Sequence, residues 1–446
     1  MTGLIALARS RWTSARRGFF PGGAAFAPKL KSAAHTAIGQ IVVAGCALVS
    51  TRVYTELLSR DEYGFTMMAM GAVAFVDGLF VMAFNQTLLS ICAGLKDDES
   101  QRSVSVGLAI ALFRVVALAL VPLAAIGLAL TAFTPLEPIY GLAPAAALFY
   151  LGEEIAKTSM LSPLVARRDY FRFSLWSAVE ALATFASTGL SLYFVRADAV
   201  GFLLGLIAGR AFCTAGFLLA YFGGRYFHEV DRAAVRPYVA QALSYGIPVS
   251  AMAPLGWVAA YLDRYAISAA GGLAEAGVYA AVAGLVSRPY AVTTSILTYY
   301  FRPQLFEGGA GVSSYAGKRA VERRWVAGAA AVGFSGAVAF AALSQVVAWL
   351  ALAADYRSGA QGLMIVLALA QTLAIMTHAA DNATLSCGAS APLLKMQVWL
   401  AGAALVFVPV GALAYGALGA AFGRLLSESL KLGATLWLSR RLLGAA

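Results

Sequence analysis

Apolar residues fill nearly unbroken stretches of about 20–30 positions along the whole chain, with short polar segments between them. The period-two alternation of strands is missing, so the pattern predicts helices. Twelve are expected, at residues 36–58, 63–92, 103–132, 139–162, 171–194, 199–222, 238–266, 273–301, 324–352, 359–387, 391–414 and 418–440. Each is long enough to cross a hydrocarbon layer of roughly 30 Å. Helices satisfy their own backbone polar groups in lipid, so the expected fold is an all-α polytopic membrane bundle. The two notable connections are residues 302–323, after the eighth helix, and GGRYFHEVDRAAVRP (223–237), after the sixth.

The pattern also repeats. Arg52 lies 12 residues before Gly64, with Tyr63-Gly64-Phe65 opening the second helix. Arg264 lies 13 residues before Gly277, with Ala276-Gly277-Val278-Tyr279 opening the eighth. A weaker echo aligns Gly201 and Gly205 with Gly419 and Gly423. Six helices followed by six in the same order make a parallel internal repeat, the arrangement of machines that rock two lobes about a central site. The expected organisation is a basic arm (1–34), an N-terminal lobe (35–222), a linker (223–237) and a C-terminal lobe (238–446). Pro248 and Pro254 interrupt the seventh helix, and residues 270–272 (Ala-Gly-Gly) shape the turn after it.

Charge fixes the orientation. Of 446 residues, 60% are hydrophobic and only 12% charged, against about a quarter charged in soluble domains. The formal charge is +11, from 33 basic and 22 acidic residues. Of the basic residues, 22 lie in or beside segments on one side of the predicted bundle. Only Arg60, Arg196 and Arg357 lie on the other, and eight fall inside helices. The positive-inside rule then places both termini in the cytoplasm. It also accounts for most of the positive charge without nucleic acid. The arm carries six Lys/Arg before the first acid, Glu56. It reads as a cytosolic segment touching anionic membrane lipids, and not as a cleaved signal peptide.

Catalytic and cofactor signatures are missing. The chain has no GxxxxGK[ST] phosphate loop, no HExxH, no GxGxxG and no nucleophile triad, so an enzyme is not expected. Cys46, Cys92, Cys213 and Cys387 form no CxxC, and His35, His228 and His378 are scattered. Neither a disulfide framework, a metal site nor a bound cofactor is expected.

Several stretches carry a family likeness. They are Gly39-Gln40 at the first helix, LLSRDEYGFTMMAMGAVAFVDGL (57–79), ARRDYFRFSLW (166–176) and LDRYAISAAGGLAEAGVYAAVAGLV (262–286). In these the chain resembles the polysaccharide and O-antigen flippases of the multidrug/oligosaccharidyl-lipid/polysaccharide exporter superfamily. The acid-free arm departs from that pattern. The resemblance implies a bacterial inner-membrane protein that moves a polyprenyl-pyrophosphate-linked saccharide by alternating access. It implies a polar, often cationic cavity formed by the first, second, seventh and eighth helices. The implied partners are the lipid-linked saccharide, a polysaccharide polymerase and glycosyltransferases, with H+ or Na+ as coupling ion. A cation-coupled multidrug exporter of the same fold and a membrane-embedded glycan polymerase are the alternatives. The external connections, none longer than about ten residues, argue against the polymerase.

Ionisable groups inside helices are costly and therefore candidates for function. Arg288 stands 15 residues into the eighth helix, about 22 Å along it, and Pro289 follows. Arginine offers the forked donors that a pyrophosphate needs. Arg52, Arg114 and Arg264 are further candidates for substrate contact, although Arg52 has Glu56 at i+4. Asp77, at the middle of the second helix, could pair with an arginine or bind a proton or cation; Asp263 and Asp381 are candidates for pairing or coupling. Arg210 is deep but on a more peripheral helix. Spacing predicts a Glu153–Lys157 pair, a self-paired stripe of Arg424, Glu428 and Lys431, and a shared face for His378 and Asp381.

Overall fold

A computed structural model describes residues 23–95, 97–133, 138–167, 169–222, 232–306 and 315–444. Positions 1–22 of the arm, 223–231 of the linker and 307–314 of the eighth-to-ninth connection lie outside the described residues.

The described chain is helical almost throughout. Helix α1 spans Gly23–Leu57. Helix α2 runs Arg60–Asp77, passes through a π-helical turn Gly78–Met82, and continues as Ala83–Gly94. Then follow α3 (Asp98–Phe133), α4 (Pro138–Ala166), α5 (Tyr170–Phe194) and α6 (Ala199–Phe222). The second half holds α7 (Arg232–Gly271), α8 (Leu273–Phe306), α9 (Tyr315–Ala351) and, after a short 3₁₀ turn Ala354–Tyr356, α10 (Ala360–Ser386). The last helical stretch, Ser390–Gly444, breaks at Tyr415 and Gly416, giving α11 (390–414) and α12 (417–444). Gly272 and Gly416 have φ of +87° and +56°, so each turn needs a residue without a Cβ.

Helices α1, α3, α7 and α9 begin 5 to 13 residues before the predicted starts of 36, 103, 238 and 324. Apolar runs mark only the lipid-embedded part of a helix, and these four continue as charged turns beyond it.

Packing repeats as the sequence does. In the first half, α1 packs on α5, α2 and α3 on α4, and α5 on α6. In the second half, α7 packs on the α11–α12 pair, and α8 and α9 on α10. The molecule therefore consists of two six-helix lobes related by a parallel repeat. Across the lobes, α8 packs on α1 and α2, and α7 on α2 and α3.

Six described segments are long and apolar enough to cross a membrane: Arg60–Cys92, Glu99–Ala129, Ala199–Ala220, Tyr315–Ala351, Ala360–Ser386 and Ser390–Leu443. The last contains both α11 and α12. The chain is a multi-pass membrane protein. Helix α5 falls outside this set; Ser177, Thr184, Ser187, Thr188 and Ser191 dilute its apolar surface. Two of these serines bind α6 instead: Ser187 Oγ donates to Gly205 O and Ser191 Oγ to Gly201 O, both at 2.7 Å.

Candidate functional site

The lobes meet most tightly at the end where α1 turns into α2 and α7 into α8, here called the distal end. Gly64 of α2 and Gly277 of α8 cross with their backbones in contact. A Cβ on Gly64 would strike the carbonyl oxygen of Leu273, and one on Gly277 that of Arg60. This reciprocal pair is the structural meaning of the two glycines that open the repeated helices. Each is preceded, two residues earlier, by a glutamate that holds another helix start. Glu62 Oε2 accepts from the Ala199 N–H (2.8 Å) at α6, and Glu275 Oε1 from the Ala417 N–H (2.6 Å) at α12. Both are charge-assisted bonds to orphan helix N–H groups. Sequence reasoning missed these glutamates, although a common Glu-x-Gly spacing marks them in both copies.

The connection between α9 and α10 seals the same end against α1. The Tyr356 hydroxyl, on a side chain only 1% exposed, donates to Leu58 O (3.1 Å) and Ser59 O (2.8 Å). Burial pushes its phenol above the ordinary range, so it remains a neutral donor. Thr55 Oγ1 accepts from the Ala353 N–H (3.1 Å). Arg52 is spent here as well: it takes its i+4 partner Glu56 and donates to Leu352 O across the lobes.

Helices α2 and α7 form a second, continuous seam. Ser250 Oγ donates to Leu79 O (2.6 Å), Trp257 Nε1 to Gly71 O (2.7 Å) and the Tyr265 hydroxyl to Met68 O (2.7 Å). Leu79 belongs to the π-helical turn, a local irregularity that often marks functional regions. Trp257, Tyr261 and Tyr265 recur every four residues, so a single face of α7 carries the ring stripe. Replacing Trp257 with Phe removes one seam hydrogen bond. The expected cost is about 0.6–1.7 kcal/mol, readable in thermal unfolding of the purified protein.

Most deep charges are neutralised inside a lobe. In the N-terminal lobe, Arg210 of α6 binds Glu153 (2.7 Å) and Glu154 of α4, with its guanidinium 4.3 Å from the centre of the Tyr150 ring. Lys157 binds Glu154 (2.7 Å) and Glu180 of α5 (3.0 Å). The expected Glu153–Lys157 pair does not appear among the described ion pairs, because Arg210 and the Thr214 hydroxyl (2.6 Å) hold Glu153 instead. Asp77 lies within electrostatic reach of Lys157, Arg210 and Glu153, and its Oδ1 is buried without a hydrogen bond.

In the C-terminal lobe, Asp263 is 3% exposed. Its Oδ2 accepts from Arg424 of α12 (2.6 Å) and from the Tyr279 hydroxyl (2.7 Å). The predicted self-pairing of Arg424 with Glu428 is thus corrected: Arg424 reaches across to α7. Beside it, Glu428 and Lys431 line a small cavity of about 40 Å³ between α7, α11 and α12. Asp381 accepts from Gln397 at 3.4 Å. His378 contacts Thr298 (3.0 Å) and Asn382 (3.2 Å), with Trp325 edge-on at 6.0 Å. The two therefore share a face of α10, and both lie within electrostatic reach of Lys431 of α12, but their hydrogen-bond partners differ. Arg264 donates to Ala260 O (2.8 Å) and stands 4.9 Å from the Tyr261 ring centre.

Arg288 and Arg114 differ from these. Both are exposed, and neither has an ion pair or hydrogen bond among the described residues. Arg114 lies on the peripheral α3 between exposed Phe113 and Val115, opposite the fully buried Val116. Arg288 lies on α8, the helix that packs on α1 and α2 of one lobe and on α7, α9 and α10 of the other. Pro289, Ala291 and Arg302 are also exposed on α8, so an open face extends from Arg288 toward the proximal end, opposite the distal one. Among the described residues no three His, Cys, Asp or Glu side chains converge to hold a metal ion.

This arrangement of two six-helix lobes is similar to that in solved structures of MOP superfamily transporters. The structure is similar to that of a lipid II flippase, MurJ, in an inward closed conformation, at 10% identity and TM-score 0.68, covering 92% of this chain and 87% of that one. It is also similar to an inward-facing multidrug resistance transporter of the MATE family, at 15% identity and TM-score 0.65 over 92% of this chain and 98% of the other. A third neighbour is a transporter of the same superfamily from Pyrococcus furiosus, described as having a binding pocket of reverse polarity. It matches at 14% identity and TM-score 0.65, covering 93% of this chain and 96% of that one. No protein-family model and no curated protein sequence matches the chain. At these identities the likeness defines the fold.

Proposed function

We propose that the protein is a flippase for a lipid-linked oligosaccharide whose headgroup is anchored through pyrophosphate. The observation that carries this reading is the contrast between arginines. Arg210 and Arg424 are consumed by carboxylates, whereas Arg288, on the helix shared by both lobes, has no ion pair or hydrogen bond among the described residues. An unpaired guanidinium deep in a membrane bundle is costly unless an anion visits it. A pyrophosphate supplies that anion and matches the fork of the guanidinium. The fold likeness to a lipid flippase supports the same reading.

In this scheme the distal seal of Gly64, Gly277 and Tyr356 is the closed gate. The headgroup enters from the proximal end, on the cytoplasmic side, and meets Arg288. Opening the gate while the α2–α7 seam holds then releases it on the far side. Proton or cation coupling would run through Asp77, the deep carboxylate with an unsatisfied oxygen. Products of this kind feed surface polysaccharide assembly in the inner membrane.

The test is flipping of a polyprenyl-pyrophosphate oligosaccharide in proteoliposomes. Replacing Arg288 with Ala is expected to slow it about 10–100-fold, the worth of a lost charge-assisted hydrogen bond, at unchanged protein abundance. Lysine at 288 should restore part of the rate. Undiminished flipping by the alanine variant would overturn the assignment. Efflux of organic cations that ignores Arg288 would favour the multidrug alternative.

A further inference from the structure

A second cationic site lies outside the lobe interface, at the proximal end between α9 and α12. A cavity of about 440 Å³ opens there, with Arg319 and Arg323 of α9 and Arg440 of α12 in its wall. None of the three forms an ion pair among the described residues, and Arg319 Nε is buried without an acceptor. The one carboxylate in the wall, Glu322, is 3% exposed and accepts from the Ser439 hydroxyl. The wall therefore keeps a net charge of about +2.

The rest of the wall is apolar and ordered by depth. Val326 and Ala327 lie one turn farther into the bundle than Arg323, and Ala330 two turns. On α12, Leu436 lies one turn deeper than Arg440. A cavity with guanidinium groups at its mouth and hydrocarbon below has the polarity of a phospholipid: charged head outward, acyl chain inward. A free phosphate would leave the apolar part empty.

We propose that this cavity binds an anionic phospholipid of the surrounding membrane. Its phosphodiester sits among Arg319, Arg323 and Arg440, and an acyl chain lies along Val326, Ala330 and Leu436. Basic pockets between membrane helices are a recognised place for such headgroups. The bound lipid bridges α9 to α12, so it fastens the proximal end of the C-terminal lobe. The site is separate from Arg288 and does not depend on the flippase reading.

The experiment is lipid retention by the purified full-length protein after exchange into detergent containing phosphatidylglycerol and phosphatidylcholine, read by mass spectrometry. The wild type is expected to retain phosphatidylglycerol selectively. Affinity should fall about fivefold for each arginine removed in the series Arg319→Gln, Arg323→Gln and Arg440→Gln. The pair Arg324→Gln and Arg441→Gln, exposed but outside the cavity wall, should leave retention unchanged; an equal loss there would mean diffuse charge and overturn the site. If the triple variant does not fold, Ala327→Trp keeps every charge and fills the acyl slot, and should also expel the lipid. Unchanged retention in that variant, or inorganic phosphate competing as well as the lipid does, overturns the proposal.

Discussion

Replacing Asp263 with alanine is expected to destabilise the protein by about 3–5 kcal/mol, the largest loss anticipated from any single side chain in the C-terminal lobe. Breaking one half of a buried ion pair leaves the other half uncompensated, and that penalty exceeds the worth of the pair itself. Here Arg424, 15% exposed, would lose its carboxylate partner, and the Tyr279 hydroxyl would lose its acceptor. Arg264, 3.9 Å from the same carboxylate, would add to the positive charge left behind. Glu428 is four residues beyond Arg424 and has a buried oxygen without a hydrogen bond, so it can swing toward the guanidinium. That partial rescue puts the expected value at the lower end of the range. The discriminating measurement is a double-mutant cycle on thermal or denaturant unfolding. Asp263→Leu with Arg424→Met should recover most of the stability, because a packed apolar pair avoids both desolvation costs. A double variant as unstable as the single one would show that the pair is not what holds α12 to α7.

This prediction also marks the boundary of what could be read from the residues. The twelve helices follow from apolar run length, since lipid leaves the backbone no other solution. The repeat follows from glycine positions, since only glycine permits the crossing of α2 over α8. The partners of the buried charges do not follow. Spacing along one helix suggests Glu153 with Lys157 and Arg424 with Glu428. The folded lobes instead offer Arg210 from 57 residues away in one case and Asp263 from 161 residues away in the other. An exposed i,i+4 pair is worth only about 0.3–0.5 kcal/mol, so tertiary partners override it easily once burial strengthens the interaction. Arg52, near the end of α1, does keep its i+4 partner. The π-helical turn in α2 had no sequence signal, because nothing in GLFVM (78–82) distinguishes it from an ordinary helical turn.

The interface between lobes is asymmetric although the lobes repeat. Helix α7 carries three donors toward α2, from Ser250, Trp257 and Tyr265. Helix α1, its repeat counterpart, exposes Ile41, Leu48 and Val49 over the same length. The hydrogen-bonded seam along the helix length is thus built on the α7 side, while α1 meets the other lobe through Arg52 and Thr55 at the distal end. Arg288 lies on α8, which packs on both α1 and α2. In the proposed cycle, opening the distal end must break the bonds of Tyr356, Thr55 and Arg52 while the α2–α7 seam holds.

Valine at Gly64 should break that seal. Its Cβ would meet the Leu273 carbonyl oxygen, which is helix backbone and cannot rotate away. The helices would have to separate, and with them the packing of Tyr63 and Tyr279, 5% and 0% exposed. Overpacking of this kind costs about 1–3 kcal/mol. That cost falls on the distally closed conformer alone, so the population open at this end should rise about 10–100-fold. The readout is a cysteine at Val278, 9% exposed beside the crossing, introduced into a background without the four native cysteines and labelled by a water-soluble maleimide. Labelling should accelerate by the same factor. Gly284→Val on the same helix is the matched control, since a Cβ there meets nothing within 4 Å. It should leave the labelling rate unchanged. Equal acceleration in both variants would indicate general loosening of α8, and no acceleration at Gly64→Val would show that the glycine crossing does not hold the distal end closed.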